Sequence, residues 1–150
     1  MRIPFWNCQG LDNEATIMYL MLYIRQHTPV LIGNVEPKIV YYNCLARLDN
    51  IGFNLLCLNN NFLEVNNLWF LDHSSLSDPL LVSSSNQNVS CSFSDLGIKL
   101  FCSFVFAINS YQDQRFLCLE IGSLKSSINY PLFIIGDFNS ILNSDEKWIL

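Results

Sequence analysis

Charge is scarce in this chain. Only 14% of its 150 residues are Asp, Glu, Lys or Arg, and just eight are basic, which leaves a net charge of −5. A general nucleic-acid binder needs clustered Lys and Arg against phosphate, so that class is excluded and any DNA contact has to be local or metal-mediated. Long apolar runs are missing too. The longest, Ile17 to Ile24, has eight residues, far short of the roughly 18 to 20 that span a bilayer, so no membrane partner is expected. No CxxC pair occurs among Cys8, Cys44, Cys57, Cys91, Cys102 and Cys118, and no secretory apolar segment follows Met1. The six cysteines read as reduced core thiols of an intracellular protein.

What is present is oily. Apolar residues make up 51% and aromatics 13%, which excludes disorder and suggests that some apolar surface wants a partner. A chain of this length is one domain's worth and can bury about 70% of its unfolded surface. No linker composition divides it, so residues 1–150 are expected to form a single domain.

The first segments read as strand, helix, strand. "RIPFWNC" is a short strand closed by Gly10, and Asp12 or Asn13 can cap a helix reaching about His27, where Thr28-Pro29 stops it. "VLIGNVEP" is a continuous apolar strand ended by Pro37, a pattern that predicts a parallel pair and an α/β class. The first helix, "IMYLMLYI", is apolar on every side, which reads either as a buried helix or as an outer one that has lost its polar solvent face. The middle runs "FNLLCLNN", "NLWFLDHS", "LLVSSSNQNVSCSFSD" and "GIKLFCSFVFAIN" read as antiparallel hairpins, with a turn at Asp95-Leu96-Gly97. A short helix around Gln112 to Leu124 leads to a last strand, Leu132 to Gly136.

Three polar insertions interrupt apolar strand ends: Asn7 in "FWNCQG", Glu36 in "GNVEPK", and Asp137 with Asn139 in "IIGDFN". Ligands of open α/β sheets collect outside strand carboxyl ends, so converging there these residues would form an oxygen-rich pocket suited to Mg²⁺. Two readings stay open on pattern alone. Asn7 and Asp137 serve equally as caps or turn formers, and Glu36 as an exposed loop carboxylate. Trp6 and Trp69 sit inside apolar strand patterns and read as core aromatics rather than base-stacking platforms.

The wording of the motifs carries more than their spacing. "MRIPFWNCQGL" resembles the opening of the endonuclease domain of plant non-LTR (LINE-type) retrotransposons, within the endonuclease/exonuclease/phosphatase superfamily, and "GDFNSIL...EK" resembles that family's later motif. "PVLIGNVEPK" takes the place of its metal-binding glutamate segment, "NLWFLD" of its Ile-Trp strand, and "FVFAINSYQDQR" of its Val-Tyr-Ala/Gly segment with a following arginine. The resemblance runs in order from Arg2 to Lys147. It implies the N-terminal part of a four-layer α-β-β-α sandwich with an incomplete second sheet, truncated before the family's Ser-Asp-His motif.

The same resemblance implies roles. Glu36 becomes the ligand of Mg²⁺, or of Mn²⁺ in its place, with Asn7 supporting both metal and phosphate. Asp137 orients or activates the attacking water, and Asn139 is a catalytic and phosphate-binding partner. The implied activity is metal-dependent nicking of DNA, in the nucleus, and this chain by itself is expected to be inactive.

Departures are plain: Phe106 stands where the family places a phosphate-facing tyrosine, Gln9 replaces an arginine, and neither His27 nor His73 matches the catalytic histidine. The alternatives are a noncatalytic interaction module without metal, or a phosphomonoesterase of the same superfamily. An incomplete sandwich also predicts self-association through an open sheet edge.

Overall fold

A computed structural model describes residues 1–38, 52–58 and 68–139. Cys44, Glu146, Lys147 and the closing Trp148-Ile149-Leu150 fall outside these residues. Strand β1 (Phe5–Asn7) leads through a tight turn to helix α1 (Glu14–His27) and strand β2 (Leu31–Val35). Of the two candidate caps it is Asn13 that starts the helix, its Oδ1 accepting from the Ala15 amide at 2.8 Å. Thr28 ends it in a left-handed conformation, directly before Pro29. The expected parallel pair is present, with Phe5 opposite Gly33 and Asn7 opposite Val35.

Strands β3 (Phe53–Leu58) and β4 (Leu68–His73) are antiparallel and complete a first sheet of order β1-β2-β4-β3. The second sheet, β5-β6-β7-β8, holds an antiparallel meander of β5 (Ser77–Ser84), β6 (Asn88–Asp95) and β7 (Ile98–Phe106). Helix α2 (Tyr111–Ser127) then crosses over to β8 (Leu132–Asp137), which lies parallel to β7. The run read from "LLVSSS" to "SFSD" is two strands. Leu96 and Gly97 both take positive φ (49° and 79°), the twist a two-residue hairpin requires. Helix α2 outruns its expected span at both ends.

Strand alternation sorts the side chains into layers. Ile32, Trp69 and Leu71 pack beneath Leu20 and Ile24 of α1. Leu31, Val35 and Phe70 meet Val89, Cys91 and Phe104 between the sheets. Val105 and Ala107 lie under Leu117 of α2. The order is helix, sheet, sheet, helix: the partial four-layer sandwich expected, its second sheet ending at the edge strand β8. Gly33 allows the two sheets to approach closely, since a Cβ there would stand 2.7 Å from the Phe104 ring.

Two connections fix which ends coincide. His73 at the end of β4 bonds to the Val30 carbonyl before β2, and residues 74–76 then carry the chain to Ser77, which pairs with Ser94 beside Lys99 at the start of β7. The starts of β2 and β7 therefore share one end of the sandwich. The carboxyl ends of β1, β2, β7 and β8 share the other. Laterally, β3 contacts β5, and β4 contacts β6 and β7, so β1 and β8 fall on the same side.

Cys8, Cys91 and Cys102 are the buried thiols expected, and burial pushes Cys102 up to about 12. Cys118 corrects the pattern: it is exposed on α2. Helix α1 is not buried all round either. Met18, Tyr19, Leu22 and Tyr23 face outward, because only one side of a helix in an outer layer has anything to cover it. Among the described residues no helix is long and apolar enough to cross a membrane.

Two buried polar groups yield stability predictions. Asn34, on the α1 side of β2, is fully buried with neither its Nδ2 nor its Oδ1 hydrogen-bonded. An unmatched buried polar group costs about 1–3 kcal/mol, so Asn34→Leu should raise the urea midpoint correspondingly. A lower midpoint would mean that the amide has a partner. Asp72 is buried at the end of β4, and desolvation raises its carboxyl above the ordinary value despite a hydrogen bond from Asn54 and the charge of His73. Its contribution is present at acid pH and is lost as pH rises above about 4 through the raised folded value. Asp72→Asn should therefore remove part of the stability decline between acid and neutral pH, read from denaturant melts across that range.

Candidate active site at the shared strand ends

The polar residues singled out from the sequence close their strands at this common end. Asn7 is the last residue of β1, on the face Phe5 turns toward the second sheet. Its Oδ1 accepts from the Gln9 amide at 3.3 Å, and Gln9 (φ 48°) with Gly10 (φ 120°) turns the chain away. The loops after β1 and β2 are tied together. Cys8 bonds to the Val35 carbonyl through both its amide and its thiol, each at 3.0 Å, and the Leu11 amide reaches the Pro37 carbonyl at 2.8 Å.

That tie brings Glu36 beside the end of β1. Burial raises the Cys8 thiol, and the Glu36 carboxylate contributes to that rise through its nearby charge. Glu36 pairs with Lys38 at 3.6 Å, its side chain 31% exposed and thus open to a ligand from solvent.

On the second sheet, Asp137 ends β8 directly opposite Phe106, both on the inter-sheet face. Asp137 Oδ1 accepts from the Asn139 amide at 2.9 Å, and Asn139 Nδ2 donates to the Ala107 carbonyl at 2.6 Å. Gln114 of α2 donates to the Asn139 carbonyl at 3.1 Å, fixing the turn from a third element. Asp137 Oδ2 and the second N–H of Asn139 are not used in these bonds. Phe106 is half-buried in the inter-sheet core and has no hydroxyl to offer at this rim.

Sequence reading missed the backbone here. Among the described residues six non-glycines take positive φ, and four of them, Gln9, Glu36, Lys38 and Asn139, stand at this rim. Residues forced into the left-handed region concentrate where surrounding contacts position a functional group. Only Asn139 has a side chain that favours that conformation, so residue types alone gave little signal for the other three.

The site is assembled as two pairs, Asn7 with Glu36 and Asp137 with Asn139. Among the described residues no hydrogen bond joins one pair to the other, and no three His, Cys, Asp or Glu side chains group as metal ligands. His27, whose carbonyl accepts from Arg2, and His73, beside Val30, both lie at the opposite end of the sandwich. Arg115 is exposed on α2, its guanidinium 6.0 Å from the centre of the Tyr111 ring.

This architecture is the endonuclease/exonuclease/phosphatase-like fold. It is similar to the endonuclease domain of TRAS1, a telomere-specific non-LTR retrotransposon, at a TM-score of 0.70 and 10% identity over 93% of this chain and 59% of that one. D. rerio TDP2 complexed with single strand DNA product superimposes at 0.69, with 13% identity over 93% of this chain and 60% of that one. An endonuclease/exonuclease/phosphatase family protein from Leptotrichia buccalis gives 0.63 at 14% identity, covering 93% and 67% respectively. This chain spans less than two thirds of the TRAS1 and TDP2 structures. No protein-family model matches the sequence, and no curated protein matches it.

Proposed function

We propose that the shared rim is a half-site for metal-assisted phosphodiester chemistry on DNA, of the endonuclease type. The observation that supports this reading is the placement of Asn7, Glu36, Asp137 and Asn139 at or just after the carboxyl ends of β1, β2 and β8, at one end of the sandwich. The similar TDP2 complexed with single strand DNA product and the TRAS1 endonuclease domain support DNA as the substrate class.

The donor set fits a small hard cation that keeps most of its water. One carboxylate and one carboxamide oxygen on adjoining loops suit Mg²⁺, or Mn²⁺, which commonly takes only one or two protein carboxylates. Glu36 and Asn7 would hold it. When bound, the ion supplies the positive charge against phosphate that this acidic chain lacks.

The remaining steps belong to the chain's own groups. Asp137, its Oδ1 engaged by the Asn139 amide, keeps Oδ2 to orient an attacking water and accept its proton. Asn139 and Asn7 donate amide N–H groups to phosphate oxygens. His27 and His73 lie at the far end, so neither protonates the leaving oxygen, a role worth about 10²–10⁴ in rate.

The Glu36–Lys38 ion pair favours a second reading, a noncatalytic module whose carboxylate is already neutralised. Calorimetric titration with Mg²⁺ separates the two. Binding heat in the native chain that Glu36→Gln removes is the expected result; identical traces would favour the module. In a supercoiled-DNA nicking assay, slow Mg²⁺-dependent cutting should vanish in Asp137→Ala, and cutting that survives the substitution cannot come from this site.

A further inference from the structure

Both histidines of the chain and two of its eight Lys and Arg gather at the end of the sandwich opposite the rim. There Arg2 donates to the His27 carbonyl at 2.6 Å, setting a cation against the negative end of α1. Arg25, in the last turn of α1, and His73, closing β4, line one cleft of about 290 Å³ together with Thr28 and Ser75. Pro29 and Val30 form part of its apolar wall.

The cleft is built on interior strands. It lies where α1 ends over the joint between β2 and β4, which pair with each other in the middle of the first sheet. The His73 amide donates to the Val30 carbonyl at 2.9 Å, and this bond holds the two walls together. The Ser75 amide donates to His73 Nδ1 at 3.1 Å, and the Ser75 hydroxyl stands 2.7 Å from the same nitrogen. The imidazole thus fixes the turn that carries Ser75.

Its hydrogen-bonding chemistry is one-sided. A guanidinium has five N–H donors and no acceptor, and the hydroxyls of Thr28 and Ser75 can each donate as well. Among the described residues no carboxylate lines the cleft and none pairs with Arg25. Asp72, next to His73, falls on the other face of β4 with Phe70, toward the second sheet. Donors unmatched by acceptors select an anion, and a volume at the lower limit of about 300 Å³ for drug-sized ligands selects a small one.

We propose that this cleft binds a phosphate group, either as the free ion or at the end of a nucleic-acid strand. Two N–H groups of Arg25 meet two of its oxygens, and the Thr28 and Ser75 hydroxyls donate to the others. A tetrahedral oxyanion suits donors that arrive from the helix, the turn after it and the turn after β4 better than a planar carboxylate does. The distribution of charge also directs an anion here. At the other end Asp12, Glu14, Glu36, Asp113 and Asp137 outnumber Lys38 and Arg115, so that without a bound cation the rim repels phosphate. The cleft does not depend on the catalytic reading of the rim.

Backbone amide shifts, followed by NMR in metal-free buffer, test the site with inorganic phosphate, a 5′-phosphorylated thymidine trinucleotide and the same trinucleotide without that phosphate. One of the first two should move the amides of Thr28, Ser74 and Ser75 to saturation while those of Asn7 and Glu36 stay in place. Saturation by inorganic phosphate assigns the free ion; saturation by the phosphorylated strand alone assigns the strand end. Arg25→Gln should weaken the binding about ten- to a hundredfold, the range for a hydrogen bond to a charged group. Lys125→Gln, which removes the same charge from the exposed last turn of α2, should leave it unchanged. Shifts that never saturate, equal binding of the trinucleotide lacking the phosphate, or equal losses in the two variants would overturn the proposal.

Discussion

Phe104→Ala should lower the free energy of unfolding by about 3–5 kcal/mol, the range for truncating a fully buried phenylalanine. Its ring lies in the core between the two sheets. It lies 4.5 Å from the Phe70 ring and 6.1 Å from the Phe5 ring between centroids, and faces the bare backbone of Gly33. Domains of this size carry about 5–15 kcal/mol in total, so the variant should sit near the edge of folding at ordinary temperature. Gly33→Ala supplies the internal control. In the native background the added methyl meets the ring and destabilises; in Phe104→Ala it enters vacated space and the penalty should vanish. Urea melts of the four-member cycle give the coupling, and additive effects would mean that the sheets do not meet at this point.

Phe106→Tyr should act on binding rather than on stability. Phe106 stands opposite Asp137 on the inter-sheet face, at the same rim as Asn7 and Glu36. A hydroxyl there can donate to a bound phosphate, and one hydrogen bond to a charged group is worth roughly 1.5–3 kcal/mol, about ten- to a hundredfold in affinity. The gain should be seen with a short single-stranded DNA in the presence of Mg²⁺. It should be lost when Glu36→Gln is added, because the two changes serve one phosphate. An unchanged affinity would separate Phe106 from the binding rim.

The outline of the fold was legible where punctuation is strong. Gly10, with φ 120°, and a cap at Asp12 or Asn13 mark the passage from β1 to α1, and Thr28-Pro29 marks the helix end, because glycine, a capping side chain and proline each restrict what the backbone can do next. The division of β5 from β6 was less legible. Ser83 to Asn88 is polar throughout, and its serines fit a strand face as readily as a turn, Ser90 and Ser103 being buried against each other on paired strands.

At the candidate site, the placement of Asn7, Glu36 and Asp137 at strand ends followed from the apolar runs that precede them, while their roles rest on motif wording. Three features were not legible. The left-handed backbone at Gln9, Glu36 and Lys38 is imposed by the ties between neighbouring loops, not by side-chain preference. The bond from Asn139 to Ala107 depends on β7 and β8 being parallel neighbours, a long-range fact. The ion pair of Glu36 with Lys38 requires both residues to leave the extended conformation.

Paramagnetic broadening by Mn²⁺, followed over the backbone amides, asks most directly whether both pairs of polar residues face one ion. Signals from Asn7 to Gln9, Glu36, Lys38 and Asp137 to Asn139 should fade together at low Mn²⁺, and Glu36→Gln should abolish the effect. Signals near His27 and His73, at the other end of the sandwich, should persist. Broadening confined to one pair, or spread equally to both ends, would contradict a common rim as the seat of the chemistry.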